Sequence, residues 1–285
     1  TVAANGFGIP IVLDDLGVPY VVEGAAPPTP DYVTLVETLL SGTPGFVTDP
    51  GDPSINFTDT AGTIPVSNPG VDLVARFNTK FGTTVYNCQN SNVAAQYLWN
   101  GASFQLDGID DVLQQANTPW PAGMTALTYT TRVYLDDLST DRALVGLSTI
   151  TGTVVRMLFR AKVNGSLTLS LRRLDGDAQQ DFATAAGVVA AGNTYTLQFQ
   201  VNYLNGDIAM YVDGVSVFTG TLTGTDGING VSATSSTRWR DSVNTTNTLN
   251  DWFRAKLGCQ VMAVNQYLTG TDLANCRGFV ERNPL

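Results

Sequence analysis

Short runs of alternating apolar and polar residues, cut by Gly paired with Asn or Asp, constrain this chain most. One such run is Ala102-Ser103-Phe104-Gln105-Leu106-Asp107-Gly108-Ile109-Asp110-Asp111-Val112. Another is Gly206-Asp207-Ile208-Ala209-Met210-Tyr211-Val212-Asp213-Gly214-Val215-Ser216-Val217. Further runs fall at 127–135, 154–158, 167–171 and 195–201. Asn164-Gly165, Asp175-Gly176, Gly192-Asn193 and Asn205-Gly206 punctuate them. Alternation with period two buries one face of a strand, and Asp-Gly supplies the positive φ of a tight hairpin. Many strands with hairpin punctuation and little helix predict an all-β antiparallel sandwich, not a βαβ fold.

The first thirty residues read differently. Ile9-Pro10-Ile11-Val12-Leu13 and Val18-Pro19-Tyr20-Val21-Val22 are short extended runs with a turn at Asp14-Asp15-Leu16-Gly17 between them. Proline inside each run predicts edge strands. Ala26-Pro27-Pro28-Thr29-Pro30 then reads as a stiff linker. A hairpin of this size cannot bury enough to stand alone, so the arm is expected to dock on something. Phe7, Ile9, Ile11, Leu13, Val18, Tyr20 and Val22 are its expected anchor residues. Asp31 to Gly42 predicts a short helix, with Asp31 as N-cap and Gly42 as the stop. The expected organisation is an arm over 1–30, a helix and lead-in segment over 31–98 packing on the sandwich, and the sandwich over 99–285.

Composition narrows the chemistry. A net charge of −10 repels phosphate backbones, so nucleic acid is not an expected partner. No apolar run is long enough to span a bilayer, so no membrane insertion is expected. The N-terminus lacks a basic region followed by an apolar core, so it does not read as an intact secretory signal. Cys88, Cys259 and Cys276 are an odd number and read as free buried thiols, with a Cys259–Cys276 bridge left open. The chain has no histidine, which removes His-based triads and the commonest zinc ligand.

Three segments in order carry a resemblance. They are the opening arm, the stretch Phe46-Val47-Thr48-Asp49-Pro50-Gly51-Asp52-Pro53 with Phe57 to Val66, and Phe104 to Asp111. Together they resemble structural proteins of bacteriophage and gene-transfer-agent particles that carry a laminin-G-like, concanavalin-A-like jelly roll. Tyr211-Val212-Asp213-Gly214 resembles that fold's late hairpin, and Val261 to Thr269 its closing strand. Gln105-Leu106 stands where many relatives have one residue fewer. The resemblance implies a virion-surface protein, folded in the host cytoplasm. Its arm would bind capsid or tail proteins, and its jelly roll could meet host or environmental glycans. Exposed strand edges also imply a homo-oligomer.

Within that frame, glycan cleavage needs paired carboxylates flanking one bond. The only glutamates, Glu23, Glu37 and Glu281, lie outside the run of predicted strands. Asp110-Asp111 and Asp136-Asp137 are adjacent, so on a strand they point to opposite faces. No catalytic residue is assigned, and the chain is not expected to be an enzyme. Asp107, Asp110 and Asp111 cluster at a strand end and are candidate calcium ligands, against a plain turn role. Arg238-Trp239-Arg240, in a stretch read as a polar loop, and Trp120, between two prolines, are candidate sugar-stacking residues. The expected job is arm-anchored capsid decoration or a head fibre. The alternatives are a tail-associated glycan-binding adhesin and, third, a glycan hydrolase.

Overall fold

The computed structural model describes residues 3–4, 10–13, 19–21, 30–81, 87–107, 112–118, 123–149, 155–174, 176–224, 235–240 and 254–285. In chain order the arm holds β1 (Ala3–Ala4), β2 (Pro10–Leu13) and β3 (Pro19–Val21). Then come α1 (Tyr32–Leu40), β4 (Gly45–Thr48), β5 (Asn56–Phe57), β6 (Leu73–Val74), β7 (Arg76–Asn78), β8 (Asn87–Gln89) and β9 (Tyr97–Trp99). The sandwich continues with β10 (Phe104–Asp107), β11 (Val112–Thr118), β12 (Ala126–Leu135), β13 (Arg142–Thr149), β14 (Val155–Ala161) and β15 (Leu167–Leu171). It closes with β16 (Gln180–Ala183), β17 (Asn193–Asn202), β18 (Asp207–Val212), β19 (Val215–Thr221), β20 (Ser235–Arg240), β21 (Arg254–Val264) and α2 (Gly270–Glu281).

These strands form an all-β antiparallel jelly-roll sandwich. One sheet runs β19-β18-β17-β12-β21-β10-β9-β6, with β4 also paired to β21; the other runs β16-β15-β14-β13-β20-β11-β8-β7-β5. The segment 31–98 therefore supplies strands to both sheets. The expected alternation is visible: Leu167, Leu169 and Leu171 of β15 enter the core, while Thr168 and Ser170 lie between them on the other face. The sheets meet through aromatic pairs. Phe159 and Phe199 have ring centroids 5.0 Å apart, and Phe77 and Phe104 are 5.9 Å apart. Asp213 (φ 51°) and Gly214 (φ 80°) make the expected tight turn between β18 and β19.

The first sheet's outer face carries a second core, and β21 serves both. Opposite Thr131 to Val133 of β12, β21 spends one extra residue between Gln260 and Leu257. This bulge reverses the alternation. Ala255 and Leu257 point between the sheets, whereas Cys259, Val261 and Ala263 point outward beneath α1 and α2. There they meet Val36, Leu40, Cys276, Phe279 and Val280. The helices touch closely: a Cβ on Gly278 would fall 2.4 Å from the Tyr32 ring. Asp31 caps α1 as expected, accepting from Thr34 N at 3.2 Å. After the closing strand the chain ends in a helix, α2.

Beside this second core the outer face is polar and hydrogen-bonded. Gln198 Nε2 donates to Thr130 Oγ1 (3.1 Å) and to the Leu273 carbonyl (3.3 Å). Gln200 donates to Thr128 and to the Leu268 carbonyl. The row ties the outer face of β17 to the segment that enters α2 and to its first turn.

The arm forms a sheet of its own, β1-β2-β3, so the expected hairpin has a third strand. Pro10 and Pro19 are the first residues of β2 and β3, where a missing N–H is tolerated. Among the anchor residues, Ile11, Leu13 and Tyr20 lie on these strands. Phe7, Ile9, Val18 and Val22 lie outside the described residues.

Candidate functional site

The motif Asp49-Pro50-Gly51-Asp52 builds a closed polar hub rather than an open site. Asp49 is 3% exposed. Lys80 Nζ lies 2.7 Å from its Oδ2, and Arg282 pairs with the same oxygen. Oδ1 accepts from Gly51 N (3.1 Å), Asn283 Nδ2 (3.3 Å) and the Cys259 thiol (3.5 Å). Lys80 also reaches Asp52 at 2.9 Å. Trp99 Nε1 donates to the Pro50 carbonyl at 2.8 Å, and Asn56 Nδ2 to the Asp49 and Asp52 carbonyls. Burial first, and then the Asp49 charge, push the Cys259 thiol up to about 12, so it stays a protonated donor. The hub ties the lead-in, the β21 bulge and the C-terminal residues together.

This hub predicts a pH profile. Burial acts to raise the Asp52 carboxyl, but hydrogen bonds from Ser54 and Lys80 overcome it and hold it below 3.8. Burial acts to lower Lys80, but Asp49 and Asp52 overcome it and hold it above 10.5. Asp52 therefore contributes stability above its unfolded value and loses it as pH falls through the lower folded value. Lys80 contributes below its unfolded value and loses it as pH rises through the higher folded one. Lys80→Met is expected to shrink both the alkaline and the acid falls in urea midpoint, the raised buried thiols keeping part of the alkaline one. A variant whose two limbs match the parent's would refute the assignment.

An open groove of about 410 Å³ lies where β6, β9 and β10 meet the short helical turn Val93–Ala95. Leu73, Val93, Ala94 and Leu98 line it with apolar surface, and Gln96, Gln105 and Asp107 with polar groups. The arrangement follows from strand alternation. Phe104 and Leu106 of β10 enter the core, which leaves Gln105 and Asp107 on the outer face. Across β9, Leu98 stands opposite both Gln105 and Leu73. Gln96 is fixed by donating to the Asn90 carbonyl at 2.8 Å. Apolar floor and amide wall suit a small polar ring with one apolar face.

The candidate residues divide as follows. Asp107 lies on this groove. Asp110, Asp111 and Trp120 lie outside the described residues. Among the described residues no three His, Cys, Asp or Glu side chains gather in a group that could hold a metal ion. Arg238, Trp239 and Arg240 require a correction. They are not in a loop but on β20, an interior strand paired with β11 on one side and β13 on the other. Their side chains lie outside what is described. Polar residues with β-compatible Thr and Trp form such a strand because both neighbours satisfy its backbone. The sequence reading missed the groove residues Gln96 and Gln105, whose alternation with Tyr97 and Phe104 was the available signal.

Several described carboxylates elsewhere are engaged. At one end of the sandwich Asp137 binds Ser139 and Arg142, and Asp141 pairs with Lys162. The Ser139 hydrogen bonds, ahead of Arg142, hold Asp137 below the usual carboxylate range. Asp31, Asp59 and Asp72 are lowered by local hydrogen bonds as well. All these groups are held as carboxylates, whereas a glycosidase acid must be raised.

The three cysteines are free and buried. No helix of the described residues is long and apolar enough to cross a membrane.

No family model matches the chain, and no curated protein matches it. Among solved structures it is similar to the NanB sialidase of Streptococcus pneumoniae, with a TM-score of 0.48 and 15% identity over 61% of this chain. It spans only 27% of that sialidase. The CBM40 of the Ruminococcus gnavus IT-sialidase, bound to α2,3 sialyllactose, gives 0.46 and 12% over 57% of this chain and 97% of that one. The SAP-like pentraxin of Limulus polyphemus gives 0.40 and 14% over 57% and 73%. No activity or ligand passes to this chain from likenesses of this order; its jelly-roll sandwich is established by its own two sheets.

Proposed function

We propose that this chain is a structural protein of a bacteriophage-like particle, anchored by its N-terminal arm and displaying a lectin-like jelly roll outward. The separate pairing of the arm carries this reading. Among the described strands, β1, β2 and β3 pair only with one another, and neither sandwich sheet extends onto them. A three-stranded sheet of this size needs an apolar partner surface. The order of arm, Asp-Pro-Gly-Asp segment and jelly roll supports a particle as that partner. The groove at Asp107 supports the display role, with a glycan ring as the ligand class its lining suits. Capsid decoration is preferred to a tail-tip adhesin because an arm that forms its own sheet suits fixed docking.

The test is incorporation. Particles assembled with a chain lacking residues 1–30 are expected to carry under a tenth of the parent's copy number, read by quantitative mass spectrometry of purified particles. Unchanged incorporation would refute the anchoring role. Immunogold labelling of parent particles separates the locations. Label spread regularly over the capsid supports decoration, label at a tail tip supports the adhesin, and unlabelled particles overturn both.

A further inference from the structure

β19 ends the first sheet, and among the described strands it pairs with β18 alone. Leu222 N donates to the Gly206 carbonyl at 2.7 Å, one step beyond the paired Asp207 and Thr221. Backbone groups alternate sides along an antiparallel strand, so the N–H and C=O of Thr221 and of Thr219 turn away from β18. Ser216, Thr219 and Thr221 are exposed, and Val215 is 66% exposed, so the chain does not cover this edge itself. An open row of donors and acceptors is a template for another strand.

The edge is also uncharged. No Asp, Glu, Lys or Arg lies between Gly214 and Gly224, and there is no proline. Charge and proline are the ordinary means of blunting an edge, and β19 has neither. In a chain of net charge −10, two copies approach at least cost along such a stretch. The adjacent edge of the second sheet differs. There β16 carries the exposed Asp181, which a two-fold pairing would bring near its own copy.

We propose that β19 pairs antiparallel with β19 of a second copy, joining the two first sheets into one across a two-fold axis. The axis stands normal to the sheet, so each side chain keeps its face and one residue must meet itself. Thr219 fits that place. Its outward N–H and C=O close a mutual pair with the partner's Thr219. Phe218 then faces the partner's Gly220, a large residue against the smallest. Val217 is the extra residue of a bulge opposite Met210 and Tyr211, so regular pairing stops there. So short a pairing predicts a weak dimer, with a dissociation constant on the order of 10 μM. The pairing stands independently of the particle reading.

The test is the mass of the full chain in solution over a concentration series, read by light scattering. The parent is expected to pass from one chain to two near about 10 μM. Thr219→Glu sets two carboxylates against each other and is expected to raise the dissociation constant at least about tenfold. An equal mixture of Thr219→Glu and Thr219→Lys is expected to regain the parent's value, which misfolded variants could not do. Thr219→Cys is expected to give a disulfide-linked dimer on oxidation. Val215→Cys is not, because this register places the two copies of that residue far apart along the strands. The native thiols are buried and stay out of the reaction. A parent that keeps the mass of one chain up to about 1 mM overturns the pairing. So does growth past two chains, a dimer indifferent to Thr219→Glu, or equal linkage of the two cysteine variants.

Discussion

Asp49→Ala is expected to lower the unfolding free energy by about 3 kcal/mol, read as a lower urea midpoint with an unchanged slope. Asp49 is buried, and it faces Lys80 and Arg282 at once. Removing it leaves Arg282 without its counter-charge and Lys80 with Asp52 alone. It also leaves Gly51 N without its acceptor and Asn283 with the Cys259 sulfur alone. Both cations retain some water, with side chains 20% exposed, which places the loss at the low end of the range for broken buried pairs. The triple replacement Asp49→Leu, Lys80→Met, Arg282→Met is expected to stay within about 1 kcal/mol of the parent, because it removes the charges together. A triple variant as weak as the single one would show that the hub acts through shape rather than charge.

Phe199→Ala is expected to cost about 4 kcal/mol, the most for any single ring. Phe199 is fully buried at the centre of β17. Its ring stands 5.4 Å from Tyr129 within its own sheet and 5.0 Å from Phe159 of the facing sheet. The cavity would be walled by strands on both sides and could not collapse. Phe218→Ala is the control. That ring is half-buried on the outermost strand β19, 6.2 Å from Phe182. It is expected to cost about 1 kcal/mol. Equal losses at both positions would mean that the facing sheets do not share one core.

The sandwich was legible because its signals are local. Asp213-Gly214 requires positive φ, and Leu167, Leu169 and Leu171 alternate cleanly, so neither depends on distant residues. Asp31 named the start of α1 for the same reason. The hub was not legible. Lys80 and Arg282 come from 31 and 233 positions away along the chain, and nothing near either residue marks it as a partner of Asp49. Ser235 to Arg240 misled because polarity was read as loop, while the pairing with β11 and β13 that makes it a strand is long-range. Asp107 was singled out for its carboxylate. Its position on the groove came instead from the phase of β10 against the core.

The extra residue in β21 also forbids motion. Its first half sends Ala255 and Leu257 between the sheets, and its second half serves both cores, with Met262 and Val264 inward and Cys259, Val261 and Ala263 outward. The two halves keep opposite phases, so no rigid shift of this strand along β12 preserves both. A slide of one position would bring Lys256 inward in place of Leu257 and put Gln260 into the outer core beneath the helices. The strand therefore works as a mechanical pin. Load applied through the C-terminal helix cannot be relieved by slippage and must be met by breaking both cores together.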